Sequence, residues 1–258
     1  MQKSICIEKI FTEVDFYDRF KEAAEAGFSH VEFWSWSAKD LARVSDELRA
    51  WNLSVASISG DQDYSLVCAD ERDGYLDYLQ RSLEAARLLE CPTLVVHSDA
   101  IGPDGKISAT SQNASDEDKF AAALETLRLG GEMAREAGCT LVLEALNTNT
   151  QPGCFLHDSA TASRLIDLVG SPHVRMLYDV WHMEQMEGRI AETIRRLGDR
   201  IGYVHIADSQ GRHEPGTGTI DFDAFKQALD DAGYDGTLGF ELVPQTDSWK
   251  ACEAIRAF

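Results

Sequence analysis

Short apolar runs ending on a polar residue alternate along this chain with longer segments whose apolar residues recur every three or four positions. The short runs fall at residues 4–8, 30–34, 53–57, 93–98, 140–145, 174–179, 202–207 and 237–242 and read as strands. Helical patterning follows them at 14–26, 38–51, about 73–90, about 117–137, 159–169, about 189–197 and 222–232, and a short last helix closes the chain. Gly27, Gly138, Gly170, Gly198 and Gly233 stand where helices should stop, and Asp15 and Ser159 where two should start. Eight such units with right-handed crossovers predict a single (β/α)8 TIM barrel over residues 1–258. An open doubly wound sheet usually carries a glycine-rich phosphate turn after its first strand, and here that stretch, KIFTEVDF, has no glycine. Residues 99–115, with Gly102, Pro103 and Gly105, read as one long surface loop and not as a domain boundary.

Composition narrows the function. The chain has 258 residues, 44% of them hydrophobic, enough for a sizeable core. Lys and Arg number 24 against 44 Asp and Glu, a net charge of −20. That balance opposes a surface that tracks nucleic-acid phosphates or anionic membranes. No apolar run reaches the length of a membrane span. The opening MQKSICIEKIFTEVDF has neither a long apolar region nor a small-residue cleavage site. Six scattered cysteines form no CxxC pair. Reduced, mostly buried thiols in a cytoplasmic protein are the expectation.

In such barrels the chemistry sits at the C-terminal strand ends. Those ends read Glu8, Glu32, Ser57, His97, Glu144, Asp179, His205 and Glu241. The last four come from four successive strands and can converge. Three carboxylates and an imidazole at one point repel each other unless a cation sits among them. Oxygen-rich ligation with one imidazole suits one divalent ion, Mg²⁺ or Mn²⁺, with Co²⁺ also admitted. His182 lies three residues beyond Asp179 in the loop above the rim. It reads as a substrate donor, a ligand of a second metal or a loop residue, and substrate contact is the favoured reading. Arg212 and Glu214 follow the seventh strand in GRHEPGTG, and Arg212 is suited to a substrate carboxylate or hydroxyls. Phe33, Trp34 and Trp36 offer an apolar wall to a sugar face, and His97 is a further substrate contact by its position.

The stretch LVLEALNTNTQPGCFLHD…VRMLYDVWHMEQMEG…IGYVHIADSQGRHEPGTGTIDF…GFELVPQ resembles the hydroxypyruvate isomerase family, within the wider xylose-isomerase-like barrels. Clear resemblance covers about residues 138–245. It implies a divalent metal held by Glu144, Asp179, His205 and Glu241, with Glu144 and Glu241 as the acid/base pair. His205 departs from family members that carry an amide there and matches the metal-dependent epimerases of the wider group. The implied substrate is a small hydroxy-carbonyl compound, a keto acid or a sugar, isomerised between aldose and ketose through a cis-enediolate. A ketose 3-epimerase with the same metal site is the alternative, and a keto-inositol dehydratase a minor one. An abasic-site nuclease of this barrel needs more rim histidines and a different charge. A binding barrel without activity has no use for the acid/base pair. Homo-oligomerisation fits the group, but no motif here fixes a contact face.

Overall fold

The computed structural model describes residues 1–102, 106–107 and 114–258. The interior of the expected 99–115 loop, Pro103 and Gly105 included, lies outside the described residues. Eight strands form one closed barrel in chain order: β1 (Gln2–Cys6), β2 (His30–Phe33), β3 (Ser54–Ser59), β4 (Thr93–Val96), β5 (Thr140–Glu144), β6 (Val174–Asp179), β7 (Ile201–His205) and β8 (Thr237–Phe240). Every neighbouring pair is parallel, and β8 closes onto β1. Outside it lie α1 (Asp18–Glu25), α2 (Leu41–Trp51), α3 (Arg72–Leu88), α4 (Asp116–Ala137), α5 (Ser159–Val169), α6 (Val180–Met186), α7 (Ile190–Leu197), α8 (Phe222–Asp231) and α9 (Ser248–Ala257).

The strand period of two decides which residues reach the site. Successive strand side chains face opposite sides. Ala56, Val95, Val142, Leu177 and Tyr203 pack together inside the barrel, while Leu94, Val96, Leu141, Leu143, Met176 and Tyr178 join the larger core under the helices. Two residues beyond the inward Val142, Leu177 and Tyr203 stand Glu144, Asp179 and His205. The same alternation that fills the barrel with apolar side chains therefore turns these three inward at its open end.

Several boundaries differ from expectation. β1 lies two residues earlier than the apolar run suggested, so Cys6, not Glu8, ends it. Glu8 instead meets Lys39 at 2.6 Å and Arg19 at 3.9 Å. β3 runs two residues further, to Ser59, which places Ser57 inside the strand. α1 begins at Asp18 and not near Val14, because turns over 11–17 carry the chain there; Asp15 accepts from Asp18 N in one of them and is not the cap. α2 starts at Leu41 where Asp40 caps the free amides of Ala42 and Arg43. Asp158, one residue before Ser159, caps α5. The six cysteines are free and five are buried, as expected. Among the described residues no helix is long and apolar enough to cross a membrane.

Candidate active site

A cleft of about 650 Å³ opens at the C-terminal ends of the strands. Glu144, His205 and Glu241 line it, and Asp179 lies behind them, 1% exposed. One donor atom from each of these four buried residues lies within 4.8 Å of the other three. The expected convergence of the last four strand ends is therefore present.

His205 is the hub. Its Nδ1 lies 3.6 Å from Glu144 Oε1, 3.9 Å from Asp179 Oδ2 and 3.5 Å from Glu241 Oε2. Its Nε2 faces the other way, 3.2 Å from Glu32 Oε1. Glu32 is buried on β2 and also accepts from Tyr203 OH. The room for that carboxylate comes from Gly239, where a Cβ would stand 2.5 Å from a Glu32 oxygen. Glu32 faces Nε2 while Nδ1 points into the cluster, the placement from which carboxylates orient metal-binding histidines.

Glu144 and Glu241 are held in different ways. Glu144 Oε2 lies 3.2 Å from His97 Nε2, and Asp61 grips His97 twice, through its backbone N at 2.6 Å and its Nδ1 at 3.0 Å. Glu241 Oε1 accepts from Trp34 Nε1 at 2.7 Å, and its Oε2 meets Arg212, which also reaches Asp179 Oδ2 at 3.0 Å. Burial opposes the charge on both glutamates. Pairing with His205 and His97 nevertheless holds Glu144 well below the usual carboxylate range, and the Arg212 and His205 charges lower Glu241. Burial also opposes a charged His97, but Asp61 and then Glu144 outweigh it and raise His97 to about 10. His205 is raised well above its ordinary value against burial by Glu32 and Glu144. Arg212 brings positive charge to Asp179 and Glu241.

The donor set fits a divalent cation. Glu144 Oε1 and His205 Nδ1 are buried and take no hydrogen bond. A buried, unpaired carboxylate oxygen beside an unpaired ring nitrogen is costly unless an ion joins them. Three carboxylates and one imidazole are hard ligands of the kind that take Mg²⁺, Mn²⁺ or Co²⁺.

The substrate-contact candidates divide. His182, Arg212, His97 and Trp34 all line the cleft. His182 is not in a loop, as expected, but on α6, which Asp179 caps by accepting from Trp181 N and His182 N. Its Nδ1 accepts from the Asn147 backbone N–H at 2.9 Å, which leaves the proton on Nε2, 3.8 Å from Asp179. Burial lowers its pKa, against the pull of Asp179. Arg212 sits in left-handed backbone at φ 60°, an uncommon conformation for a residue with a side chain. Asp208 fixes the loop that carries it, accepting from Ser209 N, Gly216 N and Ile220 N. Glu214 does not line the cleft. It accepts from Gln245 N at 3.0 Å and ties the loop after β7 to the loop after β8, so the expected substrate contact is a loop brace. Trp36 also turns away, donating to Ser82 on α3. Asp61, Asn147 and Asp208 were missed in the sequence because each acts through another residue. Asp61 was further hidden by the underestimated end of β3.

Comparison with known proteins agrees with this geometry. A hydroxypyruvate isomerase from Escherichia coli K12 is 30% identical over 93% of this chain and 92% of its own length. A crystal structure of an AP endonuclease family 2 protein from Brucella melitensis covers 100% of this chain and 98% of its own at a TM-score of 0.91; at 24% identity the likeness is one of fold. A structure of L-ribulose 3-epimerase covers 100% of this chain and 93% of its own, with TM-score 0.81 and 25% identity. Residues 20–257 match the xylose isomerase-like TIM barrel family, and with the closed barrel and its strand-end cluster this places the chain as a member of that family.

Proposed function

We propose that the protein is a metal-dependent isomerase of the hydroxypyruvate isomerase type, moving a carbonyl between adjacent carbons of a small hydroxy-oxo compound. The observation that carries this is the pair of buried carboxylates, Glu144 and Glu241, which bring oxygens to 3.6 and 3.5 Å of His205 Nδ1. A divalent ion held by Glu144, Asp179, His205 and Glu241 would polarise the substrate carbonyl and offset developing negative charge. Each glutamate keeps an oxygen on the cluster side and has its other oxygen fixed, by His97 or by Trp34. Such a carboxylate is placed to take the proton from the carbon next to the carbonyl. The His182 Nε2–H and the Arg212 guanidinium, both beside Asp179 and lining the cleft, are placed to donate to oxygens where charge grows. Trp34 and Trp181 line the cleft and offer an apolar face to the substrate.

Return of the proton to the neighbouring carbon completes an isomerisation. Return to the original carbon from the opposite face, by the second glutamate, is an epimerisation. The cleft volume favours keeping a ketose 3-epimerase as the second reading, because it has room for a full sugar. The test is metal-stripped protein reloaded with Mn²⁺, Mg²⁺ or Co²⁺ in D₂O and offered hydroxypyruvate and free ketoses, followed by NMR. Deuterium entry with tartronate semialdehyde appearing is the expected result. Inversion at C3 of a ketose selects the epimerase, and metal-independent or absent exchange overturns both.

A further inference from the structure

The half of the mouth formed by β1, β2 and β3 differs in charge from the cluster side. Three of its carboxylates are engaged. Glu8 pairs with Lys39 and Arg19, Glu32 with Tyr203 and His205, and Asp61 with His97 and Tyr75 OH. Lys9 is not. Its ammonium lies 4.9 Å from the centre of the Trp34 ring, and Lys9 lines the cleft. Among the described residues no carboxylate comes within ion-pair distance of it. A second polar group stands on the same wall. Gln62 Oε1 accepts from Ser35 Oγ at 2.6 Å, Tyr78 OH at 3.0 Å and Ser37 Oγ at 3.3 Å. All three partners are hydroxyls, which donate or accept, and Gln62 lines the cleft beside them.

Among the described residues this wall offers a cation that no carboxylate neutralises. In a chain of net charge −20, an ammonium fixed over an indole face is a local reversal of sign at the mouth. Arg212 is poorly placed for the same duty, since Asp179 and Glu241 already hold it. The indole of Trp34 meets Lys9 with its face and Glu241 with its Nε1. Among the described residues Lys9 makes no ion pair with the cluster and meets it only by way of that ring, so an anion it receives lies away from the reacting carbons.

From this geometry we infer that, beyond a three-carbon keto acid, the cleft takes a hydroxy-oxo compound of four to six carbons with an anionic oxygen group, carboxylate or phosphate ester, at the end remote from the reacting carbons, and that Lys9 receives it. The inference rests on the isomerase reading for which end reacts. A point-like ammonium suits either anion.

The experiment uses Mn²⁺-loaded full-length protein with D-fructose, D-fructuronate and fructose 6-phosphate, and the tagatose and tagaturonate pair. Deuterium entry reads turnover, and saturation-transfer NMR reads binding of the same compounds independently. Wild-type protein should favour one of the anionic forms over its neutral partner by about tenfold to a hundredfold in kcat/KM. Lys9→Met should abolish that preference, with the loss falling in KM, and Lys9→Arg should restore most of it. The anion preferred identifies the group. Equal exchange of neutral and anionic forms, or a preference that survives Lys9→Met, overturns the subsite and leaves the isomerase reading standing. Lys9-dependent binding of the anion with no exchange supports the subsite and removes the isomerase reading. Neither binding nor exchange overturns the subsite.

Discussion

Glu144 and Glu241 carry the proposed chemistry, and each is fixed by a different neighbour. Replacing either with Gln keeps the size and removes the proton acceptor. Turnover should fall by about a hundredfold to ten-thousandfold in each variant, with an unchanged circular dichroism spectrum; wild-type-like turnover in both removes them from the mechanism. Asp61 acts at one remove. It holds His97 through two hydrogen bonds, and His97 holds the Glu144 oxygen that faces away from the cluster. Asp61→Asn should lower kcat by about tenfold to a hundredfold while moving KM little. A change confined to KM would place Asp61 in substrate binding instead. None of this was legible in the sequence, where Asp61 is one more acid in a loop.

At the level of elements, β6 and α6 are joined through one side chain. Asp179 ends the strand, offers an oxygen to the cluster and caps the helix that carries His182. The two duties are separable by substitution. Asn caps a helix about as well as Asp, and Ala does not. Asp179→Ala should therefore be less stable than Asp179→Asn by about 1 kcal/mol in urea unfolding. Both should weaken Mn²⁺ binding by calorimetry. Equal stabilities would mean the cap contributes nothing. The short α6 had no separate signal in the sequence, because seven residues hold too few turns for a period to emerge. The early β1 and late β3 had the same cause: apolar runs fix that a strand exists, while pairing with neighbours fixes where it ends.

For the molecule as a whole, the site is a concentration of like charge inside a closed barrel. Glu32, Glu144, Asp179 and Glu241 are all buried near one imidazole. An ion bound only by the folded chain stabilises it, by about 2.7 kcal/mol at a hundred times its Kd. Adding Mn²⁺ to chelator-treated protein should raise its melting temperature, and Glu241→Gln should blunt the rise. An unchanged melting temperature in wild-type protein would count against the metal site independently of any activity.

The order of strands and helices, the barrel they close, and the four residues of the cluster were already determined by the sequence. Periodicity is local, and in a barrel the strand ends must face one mouth, so position along the chain translates directly into position at the site. The tertiary structure alone decided how those residues are supported. It bound His97 to Asp61, gave Glu32 the room left by Gly239, and turned Glu214 and Trp36 away from the cleft. Among the described residues it also left Lys9 with no carboxylate in ion-pair reach on the wall that meets the cleft. These are contacts between segments far apart in the chain, set by packing and hydrogen bonding, and no pattern within one segment encodes them.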